Sequence, residues 1–310
     1  MTKIWAIAVN TFKEAVRNRI LYILLIFAVL LLLFSGMVRD LTIAAEDRVI
    51  RSLGLGAINL FGLMIAVFVG IGLVYNELEK KTIYTIVSKP IDRWQFILGK
   101  YFGLLLTIYV NILIMSLFFY FALCWQEFTG DEAAAAYFQA AGPEGPPGGY
   151  PGFLALGFAK SVAAAFKTLF FFPNEATRYL QVVILMTCLE LAIVTAFAVL
   201  YSSFSTPTLS AILTVFTFII GRGNEHIIRY SWYVKWQEGL DSVGSQTKFY
   251  VAQAVARIAP NLKRFYGETS TEALSGAALS VDYYDVVYAV AYCAVILTLA
   301  MLVFRRRNFK

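Results

Sequence analysis

The sequence predicts an all-α membrane protein, and three features carry that prediction. Hydrophobic residues make up 59% of the chain and charged residues only 15%, against about 45–50% and 25% in a soluble domain. The mean hydropathy is +0.69. Apolar runs close to the roughly 20 residues that cross a bilayer recur along the chain, with Lys and Arg at their ends. Apolar surface on this scale has to face something other than water.

Six spans are predicted: residues 20–38, 57–76, 97–123, 179–201, 205–221 and 285–304. The fifth is short, extended at its start by Ser and Thr. Ahead of the first, residues 2–18 carry a helical period. Trp5, Val9, Phe12 and Val16 fall on one face and Asn10, Glu14 and Arg17 on the other. Lys13, Arg17 and Arg19 are costly to immerse, so this amphipathic segment is expected to lie in the membrane interface. The basic stretch is long and no small-residue cleavage site follows Ser35-Gly36, so the first run reads as a retained span rather than a signal peptide.

Orientation follows from the basic residues. With both termini in the cytoplasm, short inner segments hold Lys3, Lys13, Arg17, Arg19, Lys80, Lys81, Lys89, Arg93, Lys100 and Arg305 to Arg307. The outer segments carry a similar number over a much greater length, which is the positive-inside pattern. That leaves two long extracytoplasmic loops, 124–177 and 222–284, before spans four and six. In the first, Gly142-Pro143-Glu144-Gly145-Pro146-Pro147 is loop by composition. Residues 153–172 are apolar enough for a seventh span, but Lys160 and Lys167 share a helical face. A seventh span would also strand Arg305 to Arg307 on the wrong side, so an interfacial helix on the outer surface is expected. In the second loop, Val251, Val255, Ile258 and Leu262 form an amphipathic stripe broken near Pro260.

Several chemistries are excluded. The net charge of +6 comes from residues flanking apolar runs, which needs no nucleic-acid partner. Cys124, Cys188 and Cys293 are far apart in sequence and His226 is the sole histidine, so neither a disulfide framework nor a zinc pattern is present. No phosphate loop, nucleophile elbow or H-E-x-x-H motif occurs, and Gly99-Lys100 is followed by Tyr101. The chain is therefore not expected to be an enzyme, to hold a cofactor or to hydrolyse ATP itself.

Two features invite a functional reading. The inner segment 77–92 opens on Glu77 and Glu79, continues through Lys80, Lys81 and Thr82, and reaches Lys89-Pro90. Pro90 ends a helix there, and Asp92 can cap the next one. The segment is either a short rigid helix held crosswise beneath the membrane or an ordinary charged loop. The second feature is Glu190, an acid near the middle of span four. An acid at that depth costs about 2.5–3.5 kcal/mol, so it should face the interior, protonated or hydrogen-bonded. Thr187, one turn away, and Asn111, in span three, are its candidate neighbours. Interhelical glue and a polar contact on a translocation path are the alternatives.

The order of these motifs resembles the ABC-2-type permeases, particularly the branch that includes the nitrous-oxide-reductase maturation permease. The matching residues are Glu79, Thr82, Ser88-Lys89-Pro90, Arg93 and Gly99-Lys100; then Ser202-Ser203-Phe204-Ser205-Thr206-Pro207; then Phe218-Ile219-Ile220-Gly221; and the ending Phe304 to Phe309. Lys81-Thr82 stands where a Gly-Thr pair is common. The resemblance implies a dimer with a second copy or a paralogue, embedded in membrane lipid of the bacterial inner membrane. It also implies a separate cytoplasmic ABC ATPase that carries ATP and Mg. Residues 1–19 would then be an elbow helix. Residues 77–92 would be a coupling helix in which Glu77, Glu79, Lys80, Lys81, Thr82, Lys89, Pro90 and Arg93 meet the ATPase. A non-transporting scaffold for an envelope assembly is the alternative.

Overall fold

The structure, a computed structural model, describes residues 2–37, 46–79, 92–129, 139, 149–171, 175–237, 243–265 and 283–306. Every regular element among the described residues is helical: α1 (Thr2–Val16), α2 (Arg19–Met37), α3 (Glu46–Glu79), α4 (Arg93–Thr129), α5 (Gly149–Phe171), α6 (Glu175–Ser202), α7 (Pro207–Arg222), α8 (Asn224–Gln237), α9 (Val243–Ile258), a 3-10 turn (Leu262–Phe265) and α10 (Tyr283–Arg306). Residues 80–91, which hold Lys80, Lys81, Thr82, Lys89 and Pro90, lie outside the described residues, as does most of the 124–148 loop.

The core is a packed set of α3, α4 and α6, with α2 and α10 against it. Two close crossings set a common scale. A Cβ on Gly62 of α3 would lie 2.6 Å from Leu191 Cδ1 of α6 and 4.0 Å from Ile112 Cγ1 of α4. Two turns on, Gly70 faces Ala198 and Leu104. Small residues permit this approach of backbones, the usual device where no water drives helices together. The bundle therefore has a near end, toward the start of α4 and the end of α6, and a far end.

At the near end α1 turns 66° away from α2. Asn18 Oδ1 accepts a hydrogen bond from Ile20 N at 3.0 Å and starts the second helix. The α1 helix lies on α4 at Gly99 and Gly103. A Cβ on Gly99 would meet Ile7 Cβ at 2.6 Å, and one on Gly103 would meet the Ala8 carbonyl at 2.6 Å. Lys100, between them, is 2% exposed and pairs with Glu14 of α1 at 3.4 Å. Residues 99–103 thus form a small-xxx-small seat for α1.

Five helices are long and apolar enough to cross a membrane, six if the bent α1–α2 pair is one span. They are not the same six runs the sequence marks. Helix α5 meets the length and apolarity test, whereas α7 has 16 residues, about 24 Å of helix against a hydrocarbon core of roughly 30 Å. The α7 pattern is also inverted relative to a soluble helix. Its buried residues are Ser210, Thr214 and Gly221, and its exposed ones include Leu209, Ile212, Phe216 and Ile219. Such a helix is stable only when its outward face meets lipid or protein.

Beyond α7, helices α8 and α9 fold back on each other. Asn224, buried at their base, donates from Nδ2 to the carbonyls of Ala256 at 3.0 Å and Ala259 at 3.3 Å. That satisfies carbonyls left free at the end of α9. Glu225 pairs with Lys263, and Arg264 pairs with Asp285 of α10 at 2.9 Å. Tyr292 donates to the Ile258 carbonyl at 2.6 Å. The Val251 stripe therefore belongs to a helical hairpin tied to α10. Val251 and Ile258 of that stripe point outward, and Leu262 is buried.

Candidate functional site

Glu190 is fully buried, and three donors converge on it. Arg222 Nε lies 2.8 Å from Oε1, and the Arg222 Nη2 nitrogen lies 2.9 Å from Oε2. Asn59 Nδ2 of α3 donates to Oε2 at 2.9 Å. The carboxylate is thus held by a two-pronged guanidinium and one amide, the geometry in which Arg gains most. The guanidinium also stands 4.7 Å from the Phe218 ring centroid, one turn earlier on α7.

Three helices place these groups for separable reasons. The Gly62 crossing brings α6 against α3, so Asn59, nearly one turn before Gly62, faces Glu190 of α6. The turn 203–206 reverses the chain from α6 into α7. Pro207 opens α7, and Ser205 Oγ and Ser210 Oγ share a hydrogen bond of 2.7 Å. Glu190 lies about 18 Å along α6 from Ser202, and Arg222 about 22 Å along α7 from Pro207. The two charges therefore meet at one depth. Arg222, at the end of α7, is thus brought among the buried groups of α3 and α6, where an unpaired charge is costly. Glu190 supplies the counter-charge there.

The expected neighbours of Glu190 are placed differently. Asn111 is buried but donates from Nδ2 to the Thr107 carbonyl of its own helix at 2.8 Å, and its Oδ1 has no partner among the described residues. Thr187 donates to the Val183 carbonyl at 3.0 Å. Neither bonds to Glu190; Asn59 and Arg222 do. The apolar run of α7 ends at Gly221, which by sequence places Arg222 at the start of the following loop.

At the near end, α3 carries Glu77 and Glu79 in its last turn, and α4 begins at Arg93; their side chains are outside the described residues. The backbone places both helix ends on the same side as the α1 seat. Among the described residues, no group of three or more His, Cys, Asp and Glu side chains could hold a metal ion. The Glu190 cluster holds opposite charges in place between three helices. It is suited to locking helices together.

The comparison with curated proteins gives no match. The family described as ABC-2 family transporter protein matches residues 5–309, which is nearly the whole chain and every helix above. With its run of apolar helices, the protein is a multi-pass membrane protein, and the chain belongs to the ABC-2 family of transporter proteins.

Proposed function

We propose that this protein is the transmembrane subunit of an ATP-driven exporter, acting as a pair and powered by a separate cytoplasmic ATPase. The family match over residues 5–309 carries this reading. The near end is then the cytoplasmic face of the bacterial inner membrane, with six spans, both termini inside, and α1 as the elbow helix. Residues 77–92 join α3 to α4 on that face as the coupling segment. The arrangement of α1 supports the assignment. It is seated on Gly99 and Gly103 and tied to Lys100, within three turns of the point where a push from the ATPase would arrive. Helices α1 and α4 would move as one body.

The Glu190–Arg222–Asn59 cluster is, on this reading, the fastening of the fifth span. It holds the end of α7 and the base of the α8–α9 hairpin to α6 and α3. Any outward opening that moves the hairpin has to carry the cluster along or break it.

The test is charge reversal at Glu77 and Glu79 in the protein reconstituted with its ATPase. Glu77→Lys/Glu79→Lys is expected to lower transport-coupled ATP turnover at least tenfold while the melting temperature stays within a few degrees of the parent. Normal coupled turnover in that variant would remove the docking role of this segment. Full activity in cells whose partner ATPase is inactivated would favour a scaffold instead.

A further inference from the structure

The α5 helix has the composition of a span but not the placement of one. Counting 1.5 Å per residue from the Gly62 crossing, Phe121 and Phe128 of α4 stand about 14 and 24 Å toward the far end, and Gln181 of α6 about 15 Å. Phe153 of α5 stacks on Phe128 at 4.9 Å, and Phe158 packs edge-on against Phe121 at 5.5 Å. At its other end, the Leu169 carbonyl accepts a hydrogen bond from Gln181 Nε2 at 3.2 Å. From Phe153 to Leu169 is about 24 Å of helix, yet the partners of its two ends differ in level by only about 9 Å. A spanning helix that began beside Phe128 would bring Leu169 down to the level of Gly62.

The bilayer centre lies close to that level, because Ser202 ends α6 about 17 Å on the near side of Leu191 and half the hydrocarbon thickness is about 15 Å. Helix α5 then occupies a layer roughly 15–24 Å from the centre, where phospholipid headgroups lie. Its surface divides accordingly. Phe153, Gly157, Ser161 and Ala165 form the line buried against the bundle. On one side of that line, exposed Lys160 sits over the Phe128 ring at 5.5 Å, the outer of the two α4 contacts, and exposed Lys167 lies on the same edge. On the other side, Phe158 packs on Phe121, the inner contact, and Phe166 is exposed near that edge. The lysine side therefore points toward the outer α4 contact and the Phe158 side toward the inner one; exposed Leu156 and Phe171, each four residues from a lysine, flank the basic pair on its own side. Helix α5 contains no acidic residue, and among the described residues neither lysine pairs with a carboxylate.

We infer that α5 lies along the headgroup layer at the far face, and that Lys160 and Lys167 dock there on the phosphates of anionic phospholipid. Positive charge set at headgroup depth beside apolar side chains is what such a surface complements. The occupant is the leaflet itself.

Two measurements on the full-length protein in sealed proteoliposomes test this. In the first, Lys160→Cys and Lys167→Cys should both be labelled by a membrane-impermeant maleimide, above the parent level, from the face opposite to Lys3→Cys, and Phe166→Cys should not. Failure of Lys167→Cys to label, or its labelling from the α1 side, would make α5 a span and overturn the proposal. In the second, native mass spectrometry after extraction from phosphatidylcholine–phosphatidylglycerol vesicles counts the phosphatidylglycerol that remains bound. Lys160→Gln/Lys167→Gln should weaken its retention about thirtyfold, from the gain one basic side chain makes beside an anionic surface, and Lys160→Arg/Lys167→Arg should retain it. Equal phosphatidylglycerol retention by parent and glutamine variant, with both eluting as the same monodisperse species, would overturn the lipid contact.

Discussion

At the scale of single residues, the structure turns on one carboxylate. Glu190 is surrounded by donors from two other helices, and removing one partner leaves a buried charge half-compensated. Arg222→Leu is therefore expected to destabilise the protein by about 3–5 kcal/mol, read as a lower melting temperature in mild detergent. Glu190→Gln/Arg222→Gln, which removes both charges and keeps hydrogen-bonding groups, should recover most of that loss. Arg222→Leu melting like the parent would mean that the cluster fastens nothing. Glu190 was legible in the sequence because an acid amid Met186-Thr187-Cys188-Leu189 and Leu191 has few reasons to be there. Its partners were not legible. Asn59 and Asn111 are the same residue type in apolar runs of similar character, and only the rotation of each helix decides which one reaches the carboxylate. Arg222 was hidden because an Arg after an apolar run ordinarily marks the water boundary.

At the scale of elements, the seat of α1 and the shortness of α7 matter most. Gly103 has the Ala8 carbonyl and Thr11 Cβ within 2.6 Å of where a Cβ would sit, so Gly103→Leu should lift α1 from α4. Overpacking of that kind costs about 1–3 kcal/mol. Exposed Lys13 and Arg17 should then be cut by trypsin several times faster in the variant, with cleavage elsewhere unchanged. Unaltered cleavage would mean that α1 is held by other contacts. A milder change, Glu14→Gln, removes the charge opposite buried Lys100 but keeps an oxygen that can accept its hydrogen bond, and should raise trypsin cleavage less than Gly103→Leu does. The amphipathic period of residues 2–18 foretold α1 as a separate helix, since Trp5 and Lys13 suit different surroundings. Its docking site was not foretold, because Gly99 and Gly103 are two of the chain's 21 glycines and spacing alone does not say which pair is used. For α5, composition favoured a span and lysine spacing favoured the surface. Its contacts with Phe121, Phe128 and Gln181 are the ground on which the lipid-facing placement is proposed.

At the scale of the whole molecule, the helical class and the family were readable because hydropathy and motif order extend along the entire chain and survive local errors. The family match over residues 5–309 agrees with both. Topology was less readable, since α7 has 16 residues and α5 has 23, so helix length favours α5 as a span where the positive-inside pattern favours α7. The substrate left no trace in the sequence, because lipid-facing and path-facing apolar residues are alike in composition. The permease reading is tested most directly by extracting the protein from its own membranes in mild detergent and measuring ATP turnover of what comes with it. An ATPase subunit should co-purify in stoichiometric amount, with turnover that falls when Glu77 and Glu79 are reversed. Recovery of the chain alone, or with envelope proteins and no ATPase, would contradict it.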